Sequence, residues 1–236
     1  MLYHKRYKAL KVIPVFIILG NVFIACAQTE ESVPSWDNQL YIGNKIAAGK
    51  NDWRFSGELQ VRLKDNTQNL DNYFLEGVAN YMLSKRWEIS PDFRLSIKPD
   101  EAEYRPGLSI VHKLLGTDLQ LVNQVKWQMD FDTRGNHSNA MRYVAFLNYK
   151  LNDHLLPNFV AGGFYRWRDD FRGFQYFRFG PGLAYVIDVK HVLNFNYLFA
   201  ASNTGENWTW AGIMFFQLVI NINKDYKYVP AKYFNF

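Results

Sequence analysis

Trp53 to Lys64 reads WRFSGELQVRLK, and the way its residues alternate decides the fold. Successive side chains of an extended chain point to opposite faces. Trp53, Phe55, Leu59, Val61 and Leu63 therefore share one side, and Arg54, Ser56, Glu58, Gln60, Arg62 and Lys64 share the other. A period of two with one apolar and one charged face marks a strand that separates two media.

The pattern extends outward in both directions. Upstream, a strand at about Gln39 to Ala47 leads into the turn residues GKND. Downstream, the polar loop from Asn66 to Asp71 precedes a strand in which Tyr73, Leu75, Gly77, Ala79, Tyr81 and Leu83 oppose Asn72, Glu76 and Asn80. After Ser84-Lys85, the apolar series Trp87, Ile89, Pro91, Phe93, Leu95, Ile97 alternates without a break against Glu88, Ser90, Asp92, Arg94, Ser96 and Lys98. An alternation of that length crosses a tilted bilayer, for which about 9 to 11 residues suffice, whereas strands of soluble proteins average about 5 or 6. Segments 103–113, 118–132, 140–151, 158–168, 174–187, 191–201 and 208–223 repeat it, giving eleven clear strands.

The expected fold is all-β, a single-domain antiparallel up-and-down transmembrane β-barrel over residues 39–223 with ten to twelve strands. Single-chain bacterial barrels use an even number. Twelve is therefore favoured, with the lead-in 28–38 or the tail 224–236 supplying a strand. The rival all-β architecture is a soluble periplasmic β-sandwich. It needs a second packed layer, and the faces opposite the apolar ones are too charged to provide it. Trp53, Trp87, Trp127, Trp167, Trp208 and Trp210 lie at or near strand ends, as in the aromatic girdle of a membrane protein. AGKND, SK, LLGTD, NDHLL and DVK are short connections, while NTQNLD, PDEA, TRGNHS, DDFRG and SNTGEN are longer or more polar. Short periplasmic turns and longer external loops would orient the barrel accordingly.

The amino terminus supplies the route. Lys5, Arg6, Lys8 and Lys11 precede an apolar run from Val12 to Ala25, too short for a membrane helix and suited to a secretory signal. Ala25-Cys26-Ala27 places small residues where a signal peptidase reads, so cleavage is expected after Ala27, with a lipoprotein acylated at Cys26 as the rival. Cleavage removes the single Cys and with it any disulfide or thiol nucleophile. It also removes four of the 27 Lys and Arg and none of the 22 Asp and Glu, lowering the formal charge from +5 to +1. The basic pI belongs to the signal and is no argument for nucleic acid. The partners expected are outer-membrane lipid, lipopolysaccharide and the barrel-assembly machinery. Tyr233-Phe234-Asn235-Phe236 resembles the carboxy-terminal signal that this machinery reads. Nothing in the sequence bears on oligomeric state.

Specific chemistry is confined to the interior face, where cations outnumber acids. The expected orientation brings Arg142, Arg166, Arg168 and Arg178 to the inner wall of the external mouth, a guanidinium cluster suited to bidentate binding of phosphate or carboxylate. Asp130, Asp132, Asp169 and Asp170 fall close enough to neutralise it as a structural network instead. A narrow anion-preferring channel or an anion-binding barrel is the reading that results. The alternative is a membrane-embedded lipid or lipopolysaccharide hydrolase, which requires a Ser, a His and an orienting group together. Here Ser109 and His112 fall on opposite faces, His137 and Ser138 are neighbours in one loop, and His154 and His191 sit in turns. No metal-ligand spacing and no cofactor motif is present, and Gly180-Pro181-Gly182 reads as a barrel bend.

The W-x-F-x-x-E-x-Q-x-R start at Trp53, Tyr-Arg-Pro-Gly at Tyr104 to Gly107, Met-Arg-Tyr at Met141 to Tyr143 and Leu-Pro-Asn-Phe at Leu156 to Phe159 resemble an uncharacterised outer-membrane β-barrel family. This is a domain-of-unknown-function family common in Bacteroidota, and the likeness covers about residues 36–223. It implies a place and a fold, with no assigned activity. Such families often carry an acid a few residues after that proline, where this chain has Gly162 and Gly163, so no site built on that acid is implied.

Overall fold

A computed structural model describes residues 36–203, 205 and 207–231. The expected signal segment with Cys26, most of the lead-in and the terminal Tyr233 to Phe236 lie outside the described residues. The strands are β1 (Asp37–Asn51), β2 (Trp53–Lys64), β3 (Asn69–Met82), β4 (Trp87–Ile97), β5 (Ala102–Leu115), β6 (Leu119–Asp132), β7 (His137–Tyr149), β8 (Leu155–Arg168), β9 (Phe171–Val186), β10 (His191–Asn203), β11 (Trp208–Asn221) and β12 (Asp225–Tyr226).

Each of the first ten strands pairs antiparallel with the next, so one sheet runs in sequence order from β1 to β11. Eleven strands of alternating direction leave the first and last running the same way. The barrel therefore closes through a parallel seam, from Asp37↔Ala211 to Ala47↔Asn221. The parity argument for an even wall fails at this seam, and the twelfth strand is a two-residue piece. It continues the path of β11 along β1 through Lys50↔Asp225 and Asn51↔Tyr226. Closure of one sheet on itself excludes the two-layer sandwich.

The side-chain alternation follows the sequence. On β2, Trp53, Phe55, Leu59 and Val61 are exposed on the outer wall while Ser56, Glu58, Gln60 and Arg62 are buried inside. Outside, Leu75, Phe93, Ile110, Tyr143, Phe195 and Phe216 continue an apolar band around the barrel. Trp53 and Tyr81 at the short-turn rim pack with tilted rings at 4.8 Å, and Trp87 lies 4.3 Å from His112 beside them. Trp36, Trp208 and Trp210 face outward at the opposite rim, which carries the long connections.

Local irregularities have identifiable causes. Pro91, Pro106 and Pro181 have no N–H to give a neighbour, and each coincides with a gap of two residue pairs in one flanking ladder while the register beyond it is kept. Gln175 is an extra residue in β9, because Phe164 pairs with Tyr176 while Tyr165 pairs with Phe174. This bulge puts both Phe174 and Phe177 on the outer wall, although they are three residues apart.

The interior has no open bore at mid-height. Lys45, Phe74, Arg94, Lys126 and Phe215 are almost wholly buried there. Polar residues occupy the side built from β2 to β6, while Val144, Phe146, Val160, Leu198, Ile213 and Phe215 form an apolar cluster on the other side. The sequence leads to the expectation of a charged interior. In the structure one side carries an apolar core, to which β10 and β11 contribute Leu198, Ala200, Ala211, Ile213 and Phe215.

Candidate functional site

The arginines divide into two groups along the lumen. Nearest the long-connection rim, Arg105 Nε bonds Asp130 at 2.5 Å and its guanidinium also meets Glu103. Arg166 Nη2 donates to the other oxygen of Asp130 at 2.8 Å, and Lys98 reaches Glu103 at 3.0 Å and Glu101 at 2.6 Å. This layer is a charge-balanced ladder across β4, β5, β6 and β8.

One step deeper the balance changes. The Arg62 guanidinium lies over the ring of Tyr41 at 4.5 Å and that of Phe74 at 5.0 Å, and Arg178 lies over Tyr176 at 4.3 Å. Arg62 Nε donates to Gln60 at 2.7 Å, while Arg62 Nη2 and Arg178 Nε have no hydrogen-bond partner. Among the described residues neither arginine forms an ion pair. Arg94 rests 4.0 Å above the Phe74 ring and donates to Glu76 at 3.3 Å. Arg178 also lies 5.8 Å from the Tyr41 ring, so the Arg62 and Arg178 guanidinium groups share that ring. Aromatic faces attract cations through their quadrupole, and a guanidinium can stack on them. Arg62 and Arg178 are thus held on rings, whereas Arg94 has both a ring and a carboxylate.

Below it, Glu76 accepts from Arg94 and from Lys126 Nζ at 3.4 Å, and Lys126 also bonds Asp92. Lys45 meets Glu58 at 3.5 Å, and Glu58 accepts from Gln217 at 2.9 Å.

Of the four arginines singled out in the sequence, Arg178 joins Arg62 at the Tyr41 ring and lies over Tyr176, and Arg142 is buried in the lumen. Arg166 belongs to the Asp130 ladder, and Arg168 stands at the rim with its guanidinium on Asp170. Asp132 instead accepts from the backbone N–H of Arg134 and of Asn136, both at 2.9 Å, within its own turn. The residues that sequence reasoning left out of the site are Arg62, Arg94 and Arg105 with the rings of Tyr41, Phe74 and Tyr176. Their signal was parity, since each ring sits on the inward, otherwise polar, register of its strand.

Of the histidines and serines weighed for a hydrolase, His137 and Ser138 open strand β7 rather than sharing a loop, with His137 exposed and Ser138 buried on the other face. Ser109 is buried in the lumen, accepting from Gln124 at 3.1 Å, and His112 packs on Trp87 outside. His154 Nδ1 lies 2.8 Å from the carbonyl of Val186 and His191 Nδ1 lies 2.8 Å from Asp188.

No known protein family's sequence profile matches the chain, and no curated protein matches it. Among solved structures, the NanC porin is 13% identical, with 70% of this chain and 87% of the porin covered and a TM-score of 0.49. The KdgM porin is 16% identical over 70% of this chain and 84% of its own, with a TM-score of 0.44. The KdgM porin in complex with disordered oligogalacturonate is 15% identical over 74% and 93%, with a TM-score of 0.43. With TM-scores below 0.5, the likeness assigns neither ligand nor activity.

Proposed function

We propose that this protein is a non-catalytic outer-membrane barrel that takes up small anions at the arginine cluster of its lumen. Arg62, Arg142 and Arg178 hold the anion, and Arg166 and Arg168 line its approach from the external mouth. The observation that carries this reading is the pair Arg62 and Arg178, cations inside the barrel wall with no carboxylate beside them. A buried charge without a counter-ion is costly, and ring faces offset only part of that cost. An anion bridging the two guanidinium groups completes the site. Because the bore is packed at mid-height, binding is the basal activity, and passage requires the packed residues to part.

The outer-membrane location rests on the apolar outer band, on tryptophans at both rims and on the secretory signal read in residues 1–27. Delivery then runs through the barrel-assembly machinery, with membrane lipid and lipopolysaccharide against the outer wall.

Recording from the refolded barrel in planar bilayers with a salt gradient tests the reading. Low-conductance, infrequent openings that favour anions are expected. Arg62→Gln combined with Arg178→Gln should abolish that preference while the barrel still migrates as a folded species on an unheated gel. Cation-preferring openings, or a preference untouched by the double change, would rule the cluster out.

A further inference from the structure

Beyond the arginine cluster, the lumen has a second polar compartment at its other end. Next to the short-turn rim a half-open cavity of about 580 Å³ lies between the wall and the chain's own tail, residues 226–231. Sites for small ligands fall in the range of about 300–1,000 Å³. After β12 the chain turns into the barrel. Lys227 N donates to the Asn51 carbonyl at 2.8 Å, Lys113 Nζ donates to the Val229 carbonyl at 2.7 Å, and Ala231 N donates to Glu88 Oε1 at 2.8 Å. Lys113 and Glu88 are themselves a wholly buried pair at 2.7 Å, so the tail is fastened to the interior rather than resting on the rim.

The cavity lining is cationic. Lys45, Arg54, Lys150, Lys224 and Lys227 contribute to it, against Asp153 alone among the acids. Three of those cations already have carboxylates, Lys45 with Glu58, Lys150 with Asp153 and Lys227 with Asp52. Arg54 and Lys224 have none among the described residues. Asn148 adds a buried Nδ2 with no hydrogen-bond partner, and Asn194 lines the wall opposite. A site with two uncompensated positive charges and carboxamide donors fits a ligand that carries two negative charges and hydroxyl groups.

We infer that this cavity is a binding site for a small hydroxylated dicarboxylate, with Arg54 and Asn148 as its wall contacts and the 226–231 segment as its cover. The inference does not depend on the arginine cluster, which lies toward the opposite rim.

The probe is L-tartrate, titrated calorimetrically into the refolded full-length protein in detergent, with the uncharged tetrol threitol as control. Saturable tartrate binding that weakens as salt rises is expected, with no binding of threitol. Arg54→Gln should weaken it at least about tenfold, since a charge-assisted hydrogen bond is lost. Arg134→Gln, an exposed arginine at the opposite rim that belongs to neither site, should leave it unchanged. Should Arg54→Gln reduce the yield of folded barrel, Asn148→Leu tests the same wall without altering charge and should also weaken binding. Ala231→Pro, which deletes the N–H given to Glu88, should speed tartrate release. Absence of saturable binding, equal binding of threitol, or loss of binding in Arg178→Gln rather than Arg54→Gln would each overturn the inference, the last by moving the anion to the other cluster.

Discussion

Glu76 is the residue on which the polar half of the interior turns. It is 1% exposed and holds Arg94 at 3.3 Å and Lys126 at 3.4 Å, so its loss leaves two buried cations short of a counter-charge. Breaking a buried ion pair from one side costs about 3–5 kcal/mol, because the abandoned charge remains desolvated. Glu76→Gln should therefore lower stability by about that amount in urea unfolding followed by tryptophan fluorescence. Replacing Arg94 by Met in the same chain should restore part of the loss. A Glu76→Gln barrel as stable as the parent would mean that water reaches this carboxylate. That Glu76 points inward was legible from the period of two. Its partnership with Lys126 was not, because β3 and β6 are not neighbours in the sheet and meet only across the lumen. The same limit hid the grouping of Arg62 with Arg178, whereas Arg166 with Asp130 could be placed from orientation alone. At Gly182 the constraint is steric. A Cβ there would lie 1.9 Å from Asn196 Nδ2, in the space used by the bond between Asn196 and Asn158.

Among the elements, the turns carry the titration behaviour that can be checked directly. Between β9 and β10, Asp188 accepts from the backbone N–H of Lys190 at 2.6 Å and of His191 at 2.9 Å, with His191 Nδ1 at 2.8 Å. The His191 hydrogen bond first, and then the two N–H groups, hold its carboxyl down at about 2. A depressed carboxylate favours the folded state above its unfolded value of about 4, and the contribution fades as pH falls toward 2. Asp188→Asn should accordingly be less stable than the parent at pH 5 to 7, and the two should converge near pH 2 in heat-modifiability gels. A gap independent of pH would place the effect in packing instead. Strand content, strand bounds within a few residues and the two faces were legible, because eleven amphipathic repeats say the same thing. The bulge at Gln175 was not, since one inserted residue merely makes the aromatic run Phe174 to Phe179 look out of phase. Nor was the inward turn of the tail, whose anchors Glu88 and Lys113 lie more than a hundred residues away in sequence.

For the whole molecule, the seam is the feature that separates this barrel from the even-stranded plan. With eleven wall strands, β1 starts at the long-connection rim, where Asn66 N donates to Asp37 Oδ1 at 2.8 Å, and β11 ends at the short-turn rim. A missing or added strand would reverse one partner and make the seam antiparallel, so relative direction reports strand number. Leu40 pairs with Met214 in the parallel register, and both face outward. An antiparallel seam about the same centre, Ile42 with Phe216, would bring Leu40 opposite Leu218 instead. Two cysteines bridge only when their Cα atoms lie within about 7 Å. Cys26 is the sole native cysteine, so with Cys26→Ser in the same chain paired substitutions give a clean readout. Leu40→Cys with Met214→Cys should form a disulfide on mild oxidation, seen as a mobility shift on a non-reducing gel, whereas Leu40→Cys with Leu218→Cys should not. The reverse result would require an even number of wall strands and would place both ends of the wall at one rim.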